Sequence, residues 1–223
     1  MKTDGPAVER REVASWCLYD FANSAFTTLI VTFIFSEFFT RVIASDNVTG
    51  TVIWSRAVNA SAIIVALSTP VLGAIADFSR RKKLFLFAAT VQTILFTALL
   101  FFMGPGMALM AALLFVVANV GFEGANVFYN AFLPEISTSK NIGRISGYGW
   151  ALGYVGGLIA LVIALQMVQS WLPEEGYLNV RSTNLLVAGW FAVFALPLFV
   201  VLRERGDVKE VEPGKYVREG FSQ

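Results

Sequence analysis

The sequence predicts an all-α membrane protein built from six transmembrane helices. Three observations carry that prediction: an apolar composition, six long apolar runs, and a lopsided distribution of basic residues. Hydrophobic residues are 56% of the 223 positions and charged residues 15%, against roughly 45–50% and about 25% in soluble domains. Mean hydropathy is +0.65. The runs lie at about Trp16–Val42, Val52–Ala76, Leu84–Met103, Met107–Phe132, Ile145–Val168 and Asn184–Leu202. Each reaches the roughly 18–20 residues that cross a ~30 Å hydrocarbon core. They lack the alternation of a membrane barrel and are about twice too long for its strands.

Orientation follows from the 17 Lys and Arg. With the N-terminus placed inside, fourteen fall on the inner side and only Arg41, Arg56 and Arg181 on the outer side. The positive-inside rule then puts both termini in the cytoplasm. Residues 1–15 read as a cytoplasmic N-terminal segment, 16–202 as the transmembrane bundle, and 203–223 as a cytoplasmic linker or tail. No signal peptide is read in the polar, charged start, which lacks a small-residue cleavage site. Connections this short make consecutive helices antiparallel neighbours in one bundle. Outer loops are expected at 43–51, at Gly104-Pro105-Gly106 and at 169–183, and inner ones at Phe78–Lys83 and Leu133–Arg144.

In the first segment, Asp20, Asn23 and Thr27 share a helical face, with Ser24 beside it. Asp20 lies near the inner boundary. It reads either as a hydrated charge favoured by the helix dipole or as part of a polar wall. Asn23 and Thr27 lie deeper, where a polar cavity or an interhelical hydrogen bond is expected.

The connection between the second and third segments, Gly73-Ala-Ile-Ala-Asp77-Phe78-Ser-Arg80-Arg81-Lys82-Lys83, is basic enough to fix topology and to bind anionic headgroups. Its glycine, three residues, aspartate and basic run also resemble the loop signature of the major facilitator superfamily. Phe78 stands where that family usually has arginine, and Arg80 where it usually has glycine. The resemblance implies a conformational latch involving Gly73, Asp77, Arg81 and Lys82.

The fourth segment carries an acid deep in an apolar helix. Asn119, Glu123, Asn126 and Asn130, at offsets of 0, 4, 7 and 11, form one face of an α-helix. A polar stripe at membrane depth is costly unless it meets water, a partner or a substrate. At 1.5 Å per residue, Asn23 and Thr27 lie roughly 10–16 Å from the inner end of their helix and Glu123 roughly 12–14 Å from the inner end of its own. The two polar faces can therefore meet across a cavity. Glu123 reads either as a structural acid paired with a neighbour or as a functional one. The fifth segment is crowded with glycine, and Gly149, Gly153, Gly156 and Gly157 are expected to allow close helix packing. A pivot that bends during transport is the alternative. In the sixth segment Pro197 is expected to kink the helix.

Composition also excludes chemistry. There is no histidine, so a proton relay must use carboxylates. The single cysteine, Cys17, gives neither an intrachain disulfide nor a thiol metal site. No nucleophile–base pair or phosphate-binding loop is readable, so an enzyme is not expected, nor is a cofactor, a metal site or a nucleic-acid partner.

The stretches WCLYDFANSAF (Trp16–Phe26), GAIADFSRRKK (Gly73–Lys83), FYNAFLPEI (Phe128–Ile136) and GRISGYGWALGYVGG (Gly143–Gly157) together resemble one family, the vacuole-effluxer-like branch of the major facilitator superfamily. The resemblance implies an alternating-access secondary transporter. Fungal relatives are implicated in amino-acid efflux from the vacuole, bacterial relatives have largely unassigned substrates, and this chain is expected to be a multi-pass protein of a bacterial inner membrane. That superfamily has twelve helices in two halves, so six imply an N-terminal half, a fragment or a split chain, made of two inverted three-helix repeats. Its partners would be the lipid bilayer, a small solute with proton coupling, and a second six-helix half supplied in cis, by a split partner or by a homodimer. Asp20, Asn23, Thr27, Asn119, Glu123, Asn126 and Asn130 would line the solute cavity. The alternative is a non-transporting assembly or regulatory module derived from half a transporter.

Overall fold

The computed structural model describes residues 9–78 and 81–205, the side chains of Asp77 and Phe78 excepted. Six helices are long and apolar enough to cross a membrane, and no strand occurs among the described residues. They are α1 (Arg10–Ile43), α2 (Asn47–Phe78), α3 (Lys82–Phe102), α4 (Ala108–Glu135), α5 (Ile142–Trp171) and α6 (Leu178–Val201).

The packing has an internal symmetry. α1 packs against α5 and α6, α4 packs against α2 and α3, and α3 packs against α6. Exchanging each helix with the one three places away maps this set of pairs onto itself. Because direction alternates along the bundle, helices three apart run oppositely. The six therefore form two inverted three-helix repeats.

Aromatic side chains lock α1 at the centre of the bundle. Trp16 stacks on Tyr129 at 4.4 Å and donates from Nε1 to the Tyr129 carbonyl at 3.1 Å. Tyr19 is fully buried and shares a 2.7 Å hydrogen bond with Thr90 of α3. Trp190 of α6 stacks on Phe21 and donates to its carbonyl at 3.2 Å. Each ring buries a large apolar area and satisfies its polar handle at once.

Several helix ends differ from the sequence expectation. α1 starts at Arg10 rather than near Trp16, because Glu9 and Glu12 close a capping box there. α2 starts at Asn47, where the Asp46 carboxylate accepts the Thr49 N–H at 2.9 Å. The largest difference is at α6, which begins six residues before Asn184 and shortens the expected 169–183 loop. Polar residues there are satisfied by neighbours, so the helix can extend through them. Arg181 donates from Nε to the Phe101 carbonyl at 2.6 Å with its guanidinium 5.1 Å from the Phe101 ring, and buried Asn179 donates to Val168. α6 continues as one helix through Pro197, and α2 through Pro70.

The first helix is not regular. From Phe26 to Phe33 it widens into π-helical turns, bends at Ile34, and widens again over Phe39–Ile43. Thr32 donates to the carbonyl of Thr27, five residues back, at 2.8 Å. Such bulges cluster at functional sites, and this one starts where α1 meets the cavity described next.

Candidate functional site

A cavity of about 480 Å³ opens in the middle of the bundle between α1, α4 and α5. α1 contributes Trp16, Asp20, Asn23, Ser24 and Thr27. α4 contributes Phe122, Glu123, Asn126, Tyr129 and Asn130, and α5 contributes Ser146, Trp150 and Tyr154. A second cavity of about 360 Å³ adjoins it between α1, α2 and α4, and Thr27 and Glu123 line both. Asn119 lines this second space and donates to the Ser61 hydroxyl of α2 at 2.9 Å. Six of the seven residues singled out in the sequence thus share one cavity, and the seventh stands in the adjoining one.

The two polar faces meet directly. Asn23 donates from Nδ2 to Oδ1 of Asn126 at 3.1 Å, and just beyond them Phe26 stacks on Phe122 at 5.0 Å. The amide pair joins two helices that the internal symmetry exchanges. The Thr27 hydroxyl donates to the Ser24 carbonyl at 3.1 Å, a local bond that leaves its oxygen able to accept. Neither cavity is lined by a lysine or an arginine. Among the described residues, neither Asp20 nor Glu123 forms an ion pair.

The glycine face of α5 lies against α1, beside this cavity. A β-carbon at Gly149 would stand 2.8 Å from the Trp16 ring, and one at Gly153 2.7 Å from the Ser24 hydroxyl and 3.0 Å from the Asp20 carboxylate. One at Gly156 would meet the Phe21 ring at 2.8 Å, and one at Gly157 the Thr28 hydroxyl at 2.6 Å. None of these distances accommodates a side chain without movement, so the missing β-carbons are what bring α5 onto α1. The latch candidates are differently placed. A β-carbon at Gly73 would meet nothing within 4 Å, and the Asp77 side chain lies outside the described residues. Arg81 stands at the start of α3, its carbonyl accepting the Phe85 N–H at 3.0 Å. Lys82 is buried, ion-paired with Glu135 at the end of α4, and lies 5.5 Å from the Phe132 ring centre.

That pair belongs to a larger charge network at the face where α1, α3 and α5 begin. Buried Glu12 pairs with Arg205 and accepts the Arg203 N–H at 3.2 Å. Glu135 accepts the Arg205 N–H at 3.1 Å as well as the Lys82 ammonium. Lys83 donates to the Leu202 carbonyl at 2.6 Å, and its N–H donates to Glu204 at 2.7 Å. The segment after α6 is in this way stapled to α1, α3 and α4. Sequence reasoning missed this network, since it joins residues up to 193 positions apart. It also missed Ser146, Trp150 and Tyr154. Their spacing of four, one position on from Gly149 and Gly153, was a readable signal for a second face of α5.

Comparison with known proteins bears on the same residues. A family described as "Vacuole effluxer Atg22 like" matches residues 43–223. An "Uncharacterized MFS-type transporter YxiO" of Bacillus subtilis (strain 168) is 31% identical over 203 residues, covering 88% of this chain and 47% of that protein. An "Uncharacterized protein" of Aquifex aeolicus (strain VF5) is 32% identical over 199 residues, covering 87% and 47% respectively. The chain spans about half the length of the curated relatives it matches. No solved structure matches it. The matched family is one of transporters rather than enzymes. With six spanning helices in two inverted repeats and a match over most of its length, the chain belongs to the vacuole-effluxer-like family of major-facilitator-type membrane proteins.

Proposed function

We propose that this chain is the N-terminal six-helix half of a secondary active transporter that moves a small polar solute by alternating access. Amino acids are the solute class that the family resemblance suggests. A second six-helix half completes the unit, and the two rock against each other around the cavity between α1, α4 and α5. The observation that carries the reading is Glu123. It stands at membrane depth, lines both adjoining cavities and has no basic residue beside it in either. An acid so placed is a burden on stability unless it serves a solute or a proton. We assign it proton coupling or the recognition of a solute's cationic group, with Asp20, Asn23, Thr27, Asn119, Asn126 and Asn130 as the polar wall.

The face bearing the α2–α3 connection and the end of α6 carries nearly all the basic residues, which supports placing it in the cytoplasm of a bacterial inner membrane. The α2–α3 connection, with Lys82 held by Glu135, is the natural place for a conformational latch. The test is Glu123→Gln in the full-length transporter, reconstituted in vesicles with an imposed proton gradient. Proton-driven uptake is expected to vanish. Unchanged uptake with unchanged pH dependence would sink the assignment.

A further inference from the structure

Building on the cavity reading above, we propose that the solute is a small organic cation, its ammonium group held by Asp20 and Glu123 beneath the rings of Trp150 and Tyr154. Four independent features of the cavity converge on this class of occupant.

The first is charge. Asp20 and Glu123 both line the 480 Å³ cavity and no lysine or arginine does. Three other acids of the described bundle carry basic partners: Glu12 has Arg205, Glu135 has Lys82 and Glu37 has Arg41. Two carboxylates without a counter-ion on the wall of one cavity favour a cation and repel an anion. The second is an orphan. Tyr129 lines the cavity and is only 4% exposed, yet its buried hydroxyl has no hydrogen-bond partner among the described residues. Buried hydroxyls are rarely left so; this oxygen exposes under 1 Å² and lies at the α4–α5 seam beside Gly149, so an occupant satisfies it only by parting that seam.

The third is aromatic. Trp150 and Tyr154 stand on one face of α5 with ring centres 6.1 Å apart. Both line the cavity and remain well exposed. Faces of tryptophan and tyrosine attract ammonium and guanidinium groups within about 6 Å, most strongly when these are desolvated. The fourth is the amide pair. Asn23 Nδ2 donates to Asn126 Oδ1, which ties the wall between the acids together and leaves it neutral, with no cation for a solute carboxylate. The ammonium of a zwitterion is therefore the group that these acids hold.

The test uses the full-length transporter in lipid nanodiscs and reads thermal stabilisation, which reports binding to the folded state. The probes are tetramethylammonium and 1,4-diammoniobutane, with tert-butanol as a neutral shape match and acetate as an anion, all at constant ionic strength. Both cations are expected to raise the melting temperature and the other two to leave it unchanged. Asp20→Asn and Glu123→Gln are each expected to weaken cation binding at least tenfold. Trp150→Ala should weaken it several-fold, with Trp150→Phe restoring most of the loss and the bulky but non-aromatic Trp150→Leu restoring little, a split that a packing defect would not predict. An equal response to tert-butanol or acetate overturns the cation assignment while leaving the cavity as a solute site. A panel with no response at all overturns both this inference and the cavity reading on which it rests.

Discussion

Two regions of this bundle treat carboxylates in opposite ways. At the face where α6 ends, Glu12 and Glu135 are buried or nearly so, and each is matched by a basic side chain and by backbone N–H groups. In the middle of the bundle, Asp20 and Glu123 line a cavity with no basic residue beside them. Both sets are carboxylates drawn in among packed helices. What differs is compensation. A compensated acid holds helices together, while an uncompensated one costs stability and is left available to something that is not part of the bundle. Identical side chains in one membrane domain can thus be sorted into structural and functional ones by whether a partner has been built for them.

The sharpest way to break this comparison is to remove a partner from the compensated set. Arg205→Ala leaves Glu12, 2% exposed, with backbone donors alone. Loss of one member of a buried pair costs about 3–5 kcal/mol. A thermal or denaturant unfolding series in nanodiscs should therefore show Arg205→Ala as strongly destabilised, with Lys82→Ala behind it because the Glu135 side chain is more exposed than that of Glu12, 12% against 2%. Asp20→Asn and Glu123→Gln should leave the unfolding midpoint unchanged or raise it, since they remove charge that has no partner. If the two sets were equally destabilised, the distinction between structural and available acids would collapse.

The glycines of α5 divide in the same manner, with a smaller expected effect. Gly153→Val and Gly156→Val drive a side chain into Asp20, Ser24 or Phe21 and should cost about 1–3 kcal/mol as overpacking. Gly147→Ala, and Gly73→Ala on α2 as a control, meet open space and should stabilise by about 0.5–1 kcal/mol, the ordinary gain of alanine in a helix interior. Unfolding midpoints of the four variants check the split. Gly153→Val should also disturb the cavity, because Asp20 is one of the groups it meets.

How much of this was legible in the sequence depends on range. The six helices and the polar faces of α1 and α4 are periodic signals within single segments, and they appear in the structure as read. Depth counted at a fixed rise put Asn23 and Thr27 level with Glu123, and in the structure Asn23 meets Asn126, three residues from Glu123 on the same helix. Helix ends were read less well. Arg181 and Asn179 look like loop residues until their partners Phe101 and Val168 are known, and those lie in other parts of the chain. The Glu12–Arg205 and Lys82–Glu135 pairs were invisible for the same reason: each residue alone resembles ordinary flanking charge. Trp150 and Tyr154 were hidden differently. In a membrane sequence an aromatic pair on a helix reads as lipid-facing, and only the position of α5 against α1 turns it toward the cavity.

The smallest effect in this series concerns the contact that joins the two repeats. Asn23 and Asn126 sit on helices that the internal symmetry exchanges, and their amides bond each other at 3.1 Å. Measured interhelical side-chain hydrogen bonds in membranes average only about 0.6 kcal/mol, since the separated helices find other partners. Asn126→Ala should accordingly shift the unfolding midpoint little, and the double variant with Asn23→Ala should cost scarcely more than either single change. Solute binding should respond in the opposite order. Breaking the pair frees an amide on the cavity wall beside Asp20 and Glu123, so Asn23→Ala or Asn126→Ala alone should alter which probe is preferred by admitting a group that accepts from the freed Nδ2 or donates to the freed Oδ1. A stability loss of several kcal/mol in the single variants would instead place the amide pair with Glu12 and Glu135 as framework, and the cavity wall would then begin at the carboxylates alone.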